Sequence, residues 1–261
     1  MSYTNVSSYQ DYDNISYINP VNRKPNRKQE KRTKKQLRQQ KDKPINLRQV
    51  IPITDTQERA FSSYRAGKNM LLHGVAGTGK TFVSVYLALK DALEHCDNKS
   101  NVQIIRSVVP TRDMGFLPGN QREKTRIYEE PYLAICGEMF NRSDAYETLK
   151  RRDIIQFTTT SYIRGLTFND STVIVDECQN MTWHELDSVI TRLGENTRII
   201  FCGDFRQSDF LWNKDKSGIH DFMKVIKTMD SFDFIEFEKD DIVRSNLVKE
   251  YIISKLELGM I

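Results

Sequence analysis

The chain has 261 residues, enough for one domain of ordinary size and a tail, and its four cysteines are scattered without a CxxC pair. This spacing argues against a disulfide-linked or zinc-stabilised fold, and we expect the cysteines to be reduced and mostly buried. The N-terminus lacks a secretory signal, and no apolar run approaches the roughly 18 residues of a membrane helix. We therefore expect a soluble, cytoplasmic protein that makes no membrane contact.

The net charge of +4 is distributed unevenly along the chain. Residues 23–43 carry eleven Lys or Arg against two acidic residues, and residues 1–43 contain few large aliphatic side chains. Such a segment cannot bury enough apolar surface to offset the entropy of ordering it. Residues 1–43 are therefore predicted to form a disordered basic arm, followed by a single domain over residues 44–261. The arm is suited to attract nucleic acid, although a tail that only keeps the chain soluble has the same composition.

Short apolar runs alternate with amphipathic stretches over residues 44–261. Strands are predicted at Met70–His73, Val102–Val108, Ile154–Thr158, Thr172–Val175, Arg198–Cys202 and Phe234–Phe237. Helices are predicted at Lys80–Leu93, Thr182–Leu193, His220–Met229 and Asn246–Leu256. Strands that are apolar on both faces and separated by helices predict an α/β domain, with a mostly parallel sheet covered by helices on both sides.

A glycine-rich loop follows the first predicted strand. The segment LLHGVAGTGKT fits the pattern G-x-x-x-x-G-K-S/T at Gly74, Gly79, Lys80 and Thr81. Glycines allow consecutive backbone N–H groups to surround phosphate, and the helix that follows directs its positive end at the same place. Lys80 would reach the β- and γ-phosphates, and the Thr81 hydroxyl would bind Mg²⁺. The residues expected to bind the nucleotide here are Gly74, Val75, Ala76, Gly77, Thr78, Gly79, Lys80 and Thr81.

An acidic pair follows the fourth predicted strand. The segment TVIVDE ends in Asp176 and Glu177, where the strand should end. Asp176 would hold Mg²⁺, and Glu177 would polarise the attacking water. An apolar strand ending in acids is common in proteins, but in a chain that also carries a phosphate-binding loop it predicts nucleotide hydrolysis.

Two glutamines are candidates for recognising the ends of the nucleotide. Gln207, in the segment IIFCGDFRQSD, could donate to a γ-phosphate and accept from water at the same time. Gln57, in IPITDTQERAF, could hydrogen-bond adenine while Ile51 or Ile53 packs on the ring.

Together these segments resemble the PhoH-like family of P-loop ATPases, a branch near the superfamily 1 helicases. The resemblance runs from about Ile51 to Leu256. It is carried by GVAGTGKT, GFLPG, SYIRGLTFND, DECQNMT, TRLG, GDFRQSD and DIVRSNLV. It implies a RecA-like fold and ATP hydrolysis with Mg²⁺, and it raises nucleic-acid unwinding or translocation as activities to test. Cys178, Ser107 and the pair Phe210-Leu211 depart from the family's usual residues without removing a catalytic group.

The resemblance assigns Gln57 to adenine, Lys80 and Thr81 to phosphate and metal, Asp176 and Glu177 to the Walker B pair, and Gln207 to sensing. P-loop sites often add an arginine that neutralises transition-state charge. Since only one RecA-like domain fits in this chain, a neighbouring subunit of a homo-oligomer, in the usual closed solution a hexameric ring, would have to supply it. Arg244 in DIVRSNLV is the first candidate, with Arg206 and Arg164 as alternatives. Arg244 could instead form a structural ion pair.

The segment Val109–Ile127 is predicted to be a long loop that contacts single-stranded nucleic acid, with RNA favoured over DNA. It combines Arg112, Arg122, Lys124 and Arg126 with Phe116, and such a mixture of charge and aromatic surface grips phosphates and stacks bases. An ordinary exposed loop with one buried Phe has the same composition. The leading hypothesis is an ATP-driven motor or remodeller of single strands. A nucleotide-gated clamp and, less favoured, a small-molecule kinase are the alternatives.

Overall fold

The computed structural model describes residues 44–94, 100–107, 121–204 and 216–259. Within these ranges the side chains at 121–125, 216–218 and 220 are not described. The predicted basic arm, Cys96, Arg206, Gln207 and most of the predicted nucleic-acid loop lie outside the described residues.

Six parallel strands form one sheet. They are β1 (Asn69–Gly74), β2 (Asn101–Arg106), β3 (Ile155–Thr159), β4 (Ser171–Asp176), β5 (Arg198–Gly203) and β6 (Phe232–Phe237). Their order across the sheet is β3-β2-β4-β5-β1-β6, and every neighbouring pair is parallel. All six predicted strands are confirmed with small shifts at their ends, as is the RecA-like α/β fold class. Strands β1 and β4 are both parallel to β5, which lies between them. The phosphate loop after β1 and the acidic pair at the end of β4 therefore lie near each other at the same edge of the sheet.

Seven helices are described. They are α1 (Asp55–Arg65), α2 (Lys80–Glu94), α3 (Gln121–Phe140), α4 (Ala145–Arg151), α5 (Trp183–Ile190), α6 (Lys216–Ile226) and α7 (Asn246–Glu257). Four of them match the predicted helices. None of the described helices is long and apolar enough to cross a membrane.

The two faces of the sheet are both covered, as the apolar strands predict. Side chains alternate along β1, so that Met70 and Leu72 join one buried cluster while Leu71 joins the other. The first cluster is completed by α1, α2, α3 and α4, and the second by α5 and α6. The three described cysteines, Cys136, Cys178 and Cys202, are buried and free, as predicted.

The loop predicted over Val109–Ile127 is wrong from Gln121 onward, because helix α3 begins there. The helix contains Pro131, which has no backbone N–H to donate and normally ends or bends a helix. A proline inside a polar stretch disfavours a helix locally. Burial of the C-terminal half of α3, through residues such as Cys136 and Met139, outweighs that local preference.

Glu185 ties the start of α5 to the ends of two strands. It forms a capping box with Thr182, and its Oε1 also accepts hydrogen bonds from Ser107 Oγ at 3.0 Å and Thr160 Oγ1 at 2.5 Å. Burial acts to raise the pKa of Glu185, but these hydrogen bonds outweigh it and hold the pKa below its usual value. The ionised carboxylate is therefore the form that links β2, β3 and α5.

We expect Glu185→Gln to lower the free energy of unfolding by about 1–2 kcal/mol at neutral pH, because charge-assisted hydrogen bonds are lost. Since the folded-state pKa is depressed, the stability from Glu185 is present above the unfolded-state pKa and is lost as pH falls through the folded-state pKa. The difference between the two proteins should therefore shrink in acid. Urea unfolding at several pH values measures this, with the exposed Glu195→Gln as control. A difference that does not change with pH would contradict it.

Candidate nucleotide-binding site

A cavity of about 630 Å³ opens at the carboxyl ends of β1, β4 and β5. Its walls come from the loop between β1 and α2, from the residues that follow β4 and β5, from the segment before α1, and from one side of α3. Ligands of open α/β sheets bind at this edge. The cavity brings together Gln57, Ala76, Gly77, Gly79, Lys80, Thr81, Asp176, Glu177 and Arg244.

The loop between β1 and α2 accepts hydrogen bonds from its own lysine. Lys80 Nζ donates to the carbonyl oxygens of Gly74 at 2.9 Å and Val75 at 2.7 Å. The buried hydroxyl of Thr78 donates to the same Val75 oxygen at 3.0 Å. Burial lowers the pKa of Lys80, against the opposing effect of nearby acids led by Asp204. The Lys80 ammonium therefore contacts the loop and lies near acidic side chains, among them Asp204.

Asp176 receives one hydrogen bond on each carboxylate oxygen. Thr81 Oγ1 donates to Oδ1 at 2.8 Å, and the Tyr132 hydroxyl donates to Oδ2 at 2.7 Å. Burial and the neighbouring Glu177 raise the pKa of Asp176, while the two hydrogen bonds act against this. Hydroxyl and carboxylate oxygens are the ligands that Mg²⁺ prefers. The pair formed by Thr81 and Asp176 therefore fits the predicted metal site.

Glu177 lines the cavity and has a left-handed backbone conformation, with φ of 52° and ψ of 42°. This conformation is uncommon for a residue other than glycine and occurs often at functional sites. Gln179 Nε2 donates to Glu177 Oε2 at 2.5 Å, and Gln179 Oε1 accepts from the backbone N–H of Asp204 at 3.2 Å. The buried amide of Gln179 thus links the Glu177 carboxylate to the residue that follows β5.

Gln57 reaches the cavity from the first turn of α1, whose N-cap is Thr54. Its Oε1 accepts from the backbone N–H of Ile53 at 2.8 Å, and its Nε2 donates to the carbonyl oxygen of Thr78 at 3.2 Å. The side chain thus joins the segment before α1 to the phosphate loop. Ile51 and Ile53 line the cavity while 73% and 77% exposed. A contact of Gln57 with adenine stays a prediction.

Arg244 lines the cavity of its own chain. The Arg244 Cγ atom lies 3.0 Å from the position that a Cβ on Gly77 would occupy, and the backbone N–H of Val243 donates to the Gly77 carbonyl oxygen at 3.0 Å. Arg244 makes no salt bridge within the described part of the chain, so the alternative of a structural ion pair has no support there. Arg164 is exposed and is not part of the cavity wall.

The wall formed by α3 has no counterpart in the sequence predictions. It contributes Pro131, Ala134, Ile135 and Glu138 to the cavity, and Tyr132 to Asp176. Burial and the Asp176 charge raise the pKa of Tyr132 well above its usual value, so its hydroxyl remains a donor. The only sequence signal for this wall is the spacing of residues 131, 134, 135 and 138, which places them on one face of a helix. That signal can be used only if a helix is assumed to continue through Pro131.

Comparison with known proteins finds relatives that match most of the chain. The family model described as "PhoH-like protein" matches residues 49–255. The PhoH-like protein of Bacillus subtilis (strain 168) is 35% identical over 187 residues, which cover 71% of this chain and 58% of the relative. Protein PhoH of Escherichia coli (strain K12) is 35% identical over 201 residues, covering 76% of this chain and 56% of the relative. The chain thus spans little more than half the length of these curated relatives.

Solved structures with a similar fold are more distant. The large terminase of a thermophilic bacteriophage matches at 13% identity with a TM-score of 0.44, covering 77% of this chain and 50% of the other. The Sulfolobus solfataricus SWI2/SNF2 ATPase core in complex with dsDNA matches at 15% identity with a TM-score of 0.42, covering 76% and 46%. The Pif1 helicase of Candida albicans matches at 15% identity with a TM-score of 0.38, covering 80% and 44%. Similarities this distant assign no activity.

Proposed function

Since this chain belongs to the PhoH-like protein family, we propose that it hydrolyses ATP with Mg²⁺ and that single-stranded nucleic acid, RNA rather than DNA, controls or uses this hydrolysis. The observation that carries the proposal is the contact of 2.8 Å between Thr81 Oγ1 and Asp176 Oδ1. It joins the phosphate loop to the acidic strand end in one cavity that also contains Lys80 and Glu177. These are the parts that a P-loop hydrolase requires.

We assign each group a role in this reaction. Backbone N–H groups of the loop and the ammonium of Lys80 bind the phosphates, and Lys80 exchanges its carbonyl partners for phosphate oxygens. Thr81 and Asp176 would hold Mg²⁺, and the metal would supply positive charge to the phosphates when bound. Glu177, oriented by Gln179, accepts a hydrogen bond from the attacking water and takes its proton. The family resemblance implies that Gln57 would bind the base and that Gln207, which lies outside the described residues, would sense the γ-phosphate.

The position of Arg244 supports a contact with the nucleotide of the same chain. Its side chain passes beside Gly77, whose N–H would face the phosphates, and α7 begins only two residues later. An arginine at this point can neutralise charge on the γ-phosphate without a second subunit. Assembly into a hexameric ring therefore depends on the family resemblance alone, and it remains a prediction that the mass of the particle in solution tests.

We expect single-stranded RNA to raise the rate of ATP hydrolysis severalfold, and single-stranded DNA to raise it less. The basic residues at 23–43 should make the affinity for either polymer fall at least about tenfold between 50 and 200 mM salt. Steady-state ATP hydrolysis without polymer, with poly-RNA and with single-stranded DNA measures the stimulation, and titration of each polymer at about 50 and 200 mM salt measures the affinity.

This assay, together with strand-displacement and phosphate-transfer assays, separates the alternatives. Hydrolysis that neither polymer changes would contradict the role of nucleic acid and leave an ATPase with another partner. Stimulation without directional strand displacement would favour the nucleotide-gated clamp over a motor. Transfer of labelled phosphate to a small molecule would favour the kinase.

A further inference from the structure

The buried carboxylate of Asp176 is held from two directions by two different parts of the fold. Thr81, from the phosphate loop, occupies Oδ1, while Tyr132, from α3, occupies Oδ2. We propose that Tyr132 is a positioning residue for the metal site. Its hydrogen bond to Oδ2 keeps Oδ1 turned towards Thr81 and so sets the affinity of the nucleotide site for Mg²⁺. This inference rests on the proposed function.

Thr81 and Tyr132 contact different carboxylate oxygens of Asp176. In the proposed reaction the Thr81 oxygen would help to hold Mg²⁺, so its present hydrogen bond to Oδ1 would be given up. The phenol hydroxyl of Tyr132 is on the other oxygen and does not have to move. Tyr132 is therefore the partner that remains on Asp176 when the metal site is filled. Partners behind a metal ligand fix its orientation in this way.

Packing in the core, rather than the hydrogen bond to Asp176, sets the position of Tyr132. The side chain is 0% exposed, and its ring lies 5.8 Å from that of Phe157, centroid to centroid. The same helix is anchored further along by the buried Cys136 and Met139, and the backbone N–H of Arg48 donates to the Met139 carbonyl oxygen at 3.0 Å. A hydroxyl that packing holds in place determines where the carboxylate points.

A second buried tyrosine shows what a purely structural hydroxyl looks like in this protein. Tyr146 is also 0% exposed, and its hydroxyl donates to Glu129 Oε2 at 2.7 Å. Glu129 has a further partner in Lys150, and none of these three residues lines the nucleotide cavity. Tyr132→Phe and Tyr146→Phe therefore each remove one buried hydroxyl from one buried carboxylate, but only the first acts at the metal site.

The test is binding of a fluorescent ATP analogue to the full chain, titrated with Mg²⁺ and repeated in EDTA. We expect Tyr132→Phe to raise the Mg²⁺ concentration for half-maximal binding about tenfold, as loss of such a partner does elsewhere. Binding in EDTA should stay as in the unsubstituted chain, because the phosphate loop is untouched. Tyr146→Phe should leave both curves unchanged. Thermal unfolding of the two variants reports the loss of stability that they share.

Each outcome decides the matter. An unchanged Mg²⁺ dependence in Tyr132→Phe would overturn the positioning role, as would an effect of equal size in Tyr146→Phe. A loss of binding that is equally large in EDTA would also overturn it, because the defect would then not act through the metal. If the unsubstituted chain shows no Mg²⁺-dependent nucleotide binding, the proposed function fails and this inference fails with it.

Discussion

Replacing Glu177 with Gln is expected to lower the rate of ATP hydrolysis by about 10²- to 10⁴-fold and to leave ATP binding nearly unchanged. The carboxylate lines the cavity beside Asp176, and among the described residues only its Oε2 has a hydrogen-bond partner, Gln179, which leaves Oε1 to accept a proton from water. Glutamine keeps the size of the side chain and can retain a hydrogen bond with Gln179. It also keeps the backbone conformation with φ of 52°, so no strain is released that would alter the fold.

Single-turnover hydrolysis and equilibrium binding of ATP measure the two halves of this prediction. Glu130→Gln is a suitable control, because Glu130 is exposed on α3 and lies outside the cavity wall. Hydrolysis that survives the change at Glu177 would show that another group activates the water. A parallel loss of ATP binding would show that Glu177 holds the nucleotide rather than the water.

The part of the site that follows from local sequence was predictable. A glycine loop between a strand and a helix can be recognised within eight residues, and the acidic pair ends a run of apolar residues. Their meeting also followed, because parallel strands carry their ends to the same edge of a sheet. The distance between Thr81 and Asp176, which are 95 residues apart, is the consequence of that topology.

The parts that depend on packing between distant segments were not predictable. Tyr132 and Asp176 are 44 residues apart, and nothing in the neighbourhood of the tyrosine marks it as a partner of a carboxylate. The sequence also did not show that Arg244 would line the cavity of its own chain. An arginine before a helix can lie beside its own nucleotide cavity or face a neighbour's, and here the hydrogen bond from the Val243 N–H to the Gly77 carbonyl oxygen keeps the residue before Arg244 close to the cavity of its own chain.

The phosphate loop is also held by the strand beside it, which the loop sequence does not show. Gly74 is the last residue of β1 and pairs with Phe237, the last residue of β6. The next N–H, that of Val75, donates to the Phe237 carbonyl oxygen at 2.9 Å. The chain after β6 continues to Val243 and Arg244, so the paired ends of β1 and β6 position the phosphate loop and the segment that contacts Gly77.

Gly74→Ala is therefore expected to lower the free energy of unfolding by about 3–5 kcal/mol. The residue has φ of 117°, which side chains rarely adopt, and a Cβ there would collide with the Phe237 carbonyl oxygen and lie 2.9 Å from its carbonyl carbon. Gly165→Ala is the matched control, because Gly165 has φ of 83° but no atom within 4 Å of such a Cβ. It should cost only about 1–2 kcal/mol, the backbone strain alone. Urea unfolding compares the two. Equal losses would mean that β6 can move away from the loop, and that the close contact between Gly74 and Phe237 does not hold the phosphate site together.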